Sequence, residues 1–127
     1  MPLDVLIVDD SAVIRKILQL VLAQTQVPIN SVLEARDGNE ALNRLKTEKI
    51  NLVLSDINMP NMDGLQLLVE VRANDDWKNL PVLMITTEGS QAKMTEAAHL
   101  GATGYVRKPF TAAQIRDKLA NILADPA

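Results

Sequence analysis

Four places in the sequence set an acid, a hydroxyl or a lysine directly after a short apolar run. Asp9-Asp10 follows Val5-Leu6-Ile7-Val8, Asp56 follows Ile50-Asn51-Leu52-Val53-Leu54-Ser55, Thr86-Thr87 follows Val82-Leu83-Met84-Ile85, and Lys108 follows Gly104-Tyr105-Val106-Arg107. If the runs are strands of one open parallel sheet, these residues converge on the crevice outside the strands' carboxyl ends. Three carboxylates gathered there repel by about 4 kcal/mol per pair at 4 Å and an effective dielectric near 20. Lys108 supplies one compensating charge, and a divalent cation would neutralise the rest. Oxygen-only ligands select a hard ion, and few carboxylates, leaving places for water and phosphate, suit Mg²⁺ better than Ca²⁺, with Mn²⁺ as the substitute. Each residue also has a plainer reading: Asp10 or Ser11 as a helix N-cap, Asp56 as the start of a turn, Lys108 as a solvated loop lysine. Their conjunction, strand by strand, favours one common site.

The elements that must position them are legible from periodicity. Val5 to Val8 reads as a strand buried on both faces. Val13, Ile14, Ile17, Leu18, Val21 and Leu22 form the apolar stripe of a first helix. Ser31 to Ala35 reads as the second strand, Asp37-Gly38 as the turn before a helix carrying Ala41, Leu42 and Leu45, and Ile50 to Ser55 as the third strand. Asp63 and Gln66 have capping-box spacing at the start of a helix with Leu65, Leu68 and Val69 inward. Pro81 introduces the fourth strand. The next helix, about Gln91 to Leu100, ends at Gly101 and presents only Met94, Ala97 and Ala98 inward, which predicts the loosest packing. After the short fifth strand, Thr111 and Gln114 start a last helix with Ile115, Leu119, Ile122 and Leu123 on its inner side. Continuous apolar strands alternating with helices imply a doubly wound α/β fold, a five-stranded parallel sheet with five helices and right-handed crossovers. The flavodoxin-like strand order 2-1-3-4-5 is adopted by analogy.

Composition narrows the classes. The 127 residues predict a single domain, with no separate output, DNA-binding or catalytic domain. The net charge of −3 argues against a nucleic-acid surface, and with no cysteine and one histidine neither a disulfide framework nor a zinc site is expected. No apolar run approaches membrane-spanning length and no basic leader precedes one, so a cytoplasmic protein is the default.

The chain resembles response-regulator receiver domains, most closely the stand-alone chemotaxis type. The residues that carry this are Asp9-Asp10, the run Asp56-Ile57-Asn58-Met59-Pro60-Asn61-Met62-Asp63-Gly64, Thr86, the run Gly101-Ala102-Thr103-Gly104-Tyr105, and Lys108-Pro109-Phe110-Thr111. The resemblance implies that Asp56 accepts a phosphoryl group from a sensor histidine kinase. It implies that Asp10 binds Mg²⁺ directly, that Asp9 helps hold it, and that the Asn58 backbone carbonyl is a further ligand. Thr86 and Lys108 would contact the phosphoryl oxygens, and the Lys108-Pro109 peptide would be cis. It further implies a switch, in which Thr86 moves toward the phosphoryl group and Tyr105 rotates inward. That alters the face of helix four, strand five and helix five that a target protein, such as a motor switch component, would read. A phosphatase is a further expected partner, nucleic acid and membrane are not, and a monomer is expected.

Thr87 departs from the family pattern, where a very small residue commonly follows the strand-four hydroxyl, and its bulk is expected to crowd the pocket. Asn58 and Glu88 occupy the two variable positions that tune access of water. His99 reads as a surface residue, Trp77 as a loop anchor, and the Gly89 to Lys93 stretch lacks the spacing of a nucleotide loop. The competing readings are a Mg²⁺-dependent phosphohydrolase with an aspartyl-phosphate intermediate, a phosphorelay intermediate, and an FMN carrier. The adjacent Asp9-Asp10 fits neither the Asp-x-Asp of haloacid-dehalogenase-type hydrolases nor a phosphate-binding loop.

Overall fold

In the computed structural model, which describes residues 2–87 and 91–124, β-strands and α-helices alternate strictly. The order is β1 (Leu3–Val8), α1 (Ala12–Gln24), β2 (Ile29–Ala35), α2 (Gly38–Thr47), β3 (Leu52–Ser55), α3 (Gly64–Ala73), β4 (Val82–Thr86), α4 (Gln91–His99), β5 (Gly104–Arg107) and α5 (Ala112–Ala124). The sheet runs β2-β1-β3-β4-β5 with every neighbour parallel, as expected. Relative to the sequence reading, β2 starts earlier, at Ile29, and β3 later, at Leu52.

Alternation along each strand divides the apolar residues between two cores. Leu6, Val8, Val53, Val82 and Met84 pack under α2, α3 and α4, against Ala41, Leu45, Leu68, Val71 and Ala97. Val5, Ile7, Leu54, Leu83 and Ile85 pack under α1 and α5, against Leu18, Leu22, Ile115 and Leu119. Strands covered on both faces are what continuous apolar runs demand.

Four helix positions differ from the apolar-stripe reading. Val13, Ile17 and Val69 are 68%, 40% and 46% exposed, and Ala98 is exposed. The stripes of α1 and α3 are wider than the sheet and neighbouring helices can cover, so only one edge of each is buried. In α4 just Met94 and Ala97 are buried, consistent with its expected light packing.

The helix starts follow the capping signals. Ser11 Oγ accepts from Ile14 N–H, leaving Asp10 free of that duty. Asp37 caps α2, and Asp63 with Gln66 and Thr111 with Gln114 each exchange both capping bonds.

Arg72 is a tie that periodicity does not announce. Its guanidinium donates to the carbonyls of Gly101 at 2.9 Å, Trp77 at 3.1 Å and Leu80 at 2.7 Å, so one side chain holds the α3–β4 and α4–β5 connections together. Gly101, at φ +102°, lies under the same side chain, where a Cβ would come within 3.0 Å of Arg72 Nε. Burial lowers the Arg72 pKa from its ordinary value, but a guanidinium stays charged regardless. No helix among the described residues is long and apolar enough to cross a membrane.

Candidate functional site

Asp9, Asp56, Thr86 and Lys108 each stand at or one step beyond the end of a strand, with the backbone bonded to the neighbouring strand. Asp9 N–H donates to Ala35 O at 3.1 Å, Asp56 N–H to Val8 O at 2.9 Å, and Lys108 N–H to Thr86 O at 2.9 Å. The sheet therefore fixes where Asp9, Asp56, Thr86 and Lys108 sit before any side chain interacts. Ser55 Oγ adds a bond to the Asp56 carbonyl at 2.9 Å.

The side chains converge as the strand ends predict. Lys108 Nζ lies 2.9 Å from Asp9 Oδ2 and 3.5 Å from Asp56 Oδ2. Asp9 Oδ1 accepts from Ser11 N–H at 2.9 Å, and Asp56 Oδ1 from Ile57 N–H at 2.7 Å. Asp9 is 2% exposed, Asp56 8%, and Asp10 faces solvent. Desolvation raises the Asp56 pKa above its ordinary value; Lys108 opposes this, Asp9 reinforces it, and hydrogen bonds from Ile57 N–H and the Thr86 side chain oppose it. The Asp56 carboxylate is thus held in an environment that resists its charge.

One oxygen from each of Asp9, Asp10 and Asp56 can be chosen so that all lie within 4.8 Å of one another. Oxygens sharing an octahedral Mg²⁺ at 2.0–2.1 Å stand roughly 3–4 Å apart, so only a small closure is needed. The donor set is all oxygen, and three carboxylates against one ammonium leave two negative charges to balance. These residues fit a hard divalent ion.

A sequence profile described as the response regulator receiver domain matches residues 5–120, nearly the whole fold with all four strand-end positions inside it. The chain belongs to the response regulator receiver family. Among curated relatives, the receiver is 44% identical to chemotaxis protein CheY-3 of Vibrio cholerae serotype O1 over 118 residues, 93% of this chain and 89% of that protein. It is 40% identical to the CheY homolog of Campylobacter jejuni over 119 residues, 93% and 90% of the two chains. The solved structure of CheY4 of Vibrio cholerae superposes with a TM-score of 0.84 at 35% identity, covering 96% of this chain and 99% of that one. The receiver is therefore a signalling domain homologous to CheY chemotaxis regulators, a switch and not a classical enzyme.

The remaining expected residues fall around this centre. Thr86 is fully buried. Thr87 is exposed and lines an apolar groove of about 350 Å³ with Ile14, Ile17, Lys108, Pro109 and Phe110. Asn58 is exposed in the loop after Asp56, and Glu88 lies outside the described residues. The Lys108-Pro109 peptide is cis. Tyr105 on β5 is 41% exposed, and Lys118 Nζ of α5 sits 5.6 Å from its ring centroid.

Three groups around the receiver's site make contacts that the sequence reading did not assign. Arg15 Nη1 donates to the Asp9 carbonyl at 2.6 Å while Nε pairs with Glu34 at 2.7 Å. Asn61, at φ +66°, donates through Nδ2 to Asp37 at 2.8 Å, and Gly38 N–H donates to Met62 O at 3.0 Å, clamping the Asp56-to-Gly64 loop to the start of α2. Gly64 N–H returns to Ile57 O at 2.7 Å, closing the loop that follows Asp56. The available signals were an arginine inside an apolar helix stripe and the paired turn sequences Asp37-Gly38 and Asp63-Gly64.

Proposed function

We propose that this receiver accepts a phosphoryl group on Asp56 from the phosphohistidine of a sensor kinase and then presents an altered α4–β5–α5 face to a target protein, in chemotaxis. One observation carries the reading. Asp56 Oδ1 is engaged by Ile57 N–H, whereas Oδ2 points at Lys108 Nζ from 3.5 Å, in a cluster that fits a hard cation. Oδ2 forms the bond to phosphorus as the donor's N–P bond breaks, and the electron pair leaves on the imidazole. Phosphoryl transfer calls for positioning and neutralisation more than for covalent help. Asp9, Asp10, Asp56 and the Asn58 carbonyl would hold a Mg²⁺, or Mn²⁺ in its place, which would supply the neutralisation when bound. Lys108 shifts from Asp9 toward the transferred group, and Thr86 donates to it. Autodephosphorylation, tuned by Asn58, Thr87 and Glu88 or hastened by a phosphatase, resets the state. In this reading the receiver works in the cytoplasm.

The test is acetyl phosphate with and without Mg²⁺, read by intact mass. The expected result is one phosphoryl mass per chain, only with the metal. Metal-independent labelling, or sustained turnover of a small phosphomonoester without a stoichiometric adduct, overturns the reading.

The switch has its own readout, because Tyr105 is the one tyrosine in the chain. β4 and β5 align Met84 with Tyr105 and Thr86 with Arg107, so movement at Thr86 is transmitted to the adjoining strand. The ring rests outward beneath Lys118, an arrangement worth about 0.5–1 kcal/mol at an exposed site, small enough to be exchanged for burial. With fluorotyrosine incorporated, phosphorylation shifts the single ¹⁹F resonance in the wild type and leaves it unmoved in Thr86→Ala. A shift of wild-type size in Thr86→Ala removes Thr86 from the coupling.

A further inference from the structure

The Asp9 carbonyl lies where the sheet runs out of partners. Asp9 N–H faces β2 and bonds Ala35 O, so in a parallel ladder its carbonyl faces β2 as well and would take the next N–H along that strand. β2 ends at Ala35, and the chain turns away to cap α2. Arg15 fills the missing rung: its Nη1 donates to Asp9 O at 2.6 Å. The guanidinium is itself aimed by Glu34, whose Oε1 accepts from Nε at 2.7 Å, and the Arg15 side chain is 13% exposed.

We infer that Arg15 is a positioning residue for the divalent-cation site, and that Glu34 orients it. The inference rests on the metal-site reading above. The Asp9 carbonyl belongs to the peptide unit that joins Asp9 to Asp10, and a peptide unit is planar. Fixing its oxygen fixes the plane, and with it the direction in which Asp10 leaves the sheet. Asp10 needs that support because its side chain is exposed, whereas Asp9 is anchored by Ser11 N–H and Lys108. A fork of two N–H groups suits the task; a lysine ammonium could reach one acceptor but would hold neither direction as firmly.

The sign of the effect separates positioning from simple charge. Arg15 is a cation beside a cation site, so through space it repels the metal, and neutralising it would tighten binding. As a positioning residue its loss loosens binding instead, by the roughly 10–100-fold seen when outer partners of metal ligands are removed. The experiment is Mn²⁺ titration followed by the electron paramagnetic resonance of the free ion, on wild type, Arg15→Met, Arg15→Lys, Glu34→Gln and Asp10→Asn. Urea midpoints on the same preparations show that each is folded.

The expected order of affinity is wild type, then Glu34→Gln, then Arg15→Lys, then Arg15→Met at least tenfold weaker than wild type. Equal or tighter binding by folded Arg15→Met overturns the inference while leaving the metal site intact. So does a lowered urea midpoint with unchanged Mn²⁺ affinity, which marks a merely structural role. Should Arg15→Met fail to fold, Arg15→Lys and Glu34→Gln decide, and wild-type affinity in both overturns it. Absence of Mn²⁺ binding by the wild type, or unchanged binding by Asp10→Asn, refutes the site reading and the inference with it.

Discussion

Asp56→Asn abolishes phosphoryl labelling and, in the same protein, raises the urea midpoint at neutral pH. The loss follows from chemistry, since an amide is no nucleophile for phosphorus under these conditions. The gain follows from the environment. Burial and the neighbouring Asp9 hold the Asp56 pKa above its ordinary value against Lys108, Ile57 N–H and Thr86. A carboxyl whose pKa is raised on folding stabilises the fold fully below its unfolded pKa and loses that contribution as pH climbs through the folded pKa. At pH 7 the ionised group is therefore a burden. Asparagine keeps the shape and the acceptor for Ile57 N–H while removing one of the three clustered charges. The gain should be on the order of 1–2 kcal/mol at pH 7 and should vanish as the wild type is acidified. Mg²⁺ narrows the gap, because it stabilises the wild type in proportion to binding and the variant less. Urea melts at two pH values, with and without Mg²⁺, check all of this; an unchanged or lowered midpoint at pH 7 contradicts the electrostatic account.

Gly64→Ala disables the same centre by a different route. A Cβ at this position would overlap the Asp56 carbonyl oxygen and stand 2.9 Å from Ile57 Cα and 2.8 Å from Met84 Cε. The methionine tip can yield, but the Asp56 and Ile57 backbone is bonded into β1 and across the loop. The backbone must shift, at a cost of about 3 kcal/mol, the upper part of the range for overpacking a well-filled site. Because the displaced atoms include the carbonyl of Asp56, the proposed acceptor, the rate of acetyl phosphate labelling falls at least tenfold in whatever fraction stays folded. Denaturation and labelling kinetics on one preparation test both, and a variant as stable and as reactive as wild type removes the close approach from consideration.

Much of this was readable in the chain. Strand-length apolar runs and the residues that end them determine the sheet and the convergence of Asp9, Asp10, Asp56, Thr86 and Lys108, because a parallel strand covered on both faces leaves few alternatives. The caps at Asp63 and Thr111 were equally legible, being local. Val13 and Ile17 were misplaced because a helical stripe shows which residues are apolar and not how far the neighbouring elements reach. Arg15 and Arg72 act through backbone carbonyls, Asn61 through the Asp37 carboxylate, and Gly64 through the Asp56 carbonyl it lies against. A side chain that bonds a carbonyl leaves no pattern in a string of letters, since every residue has a carbonyl. Their roles emerge only when the turns are placed in space.

The hydrogen bonds that carry Asp9, Asp56 and Lys108 past their strands make the sheet a ruler with fixed divisions. Parallel register advances by about 3.3 Å per residue, and a slip of one residue also reverses the face a side chain presents. An insertion between Leu3 and Asp9, or between Leu52 and Asp56, would thus misplace an acid by a whole division. Connections at the opposite ends of the strands, such as the turn at Gln26, lie off the scale and can lengthen without moving the acids. The fold separates the segments where chain length is information from those where it is free.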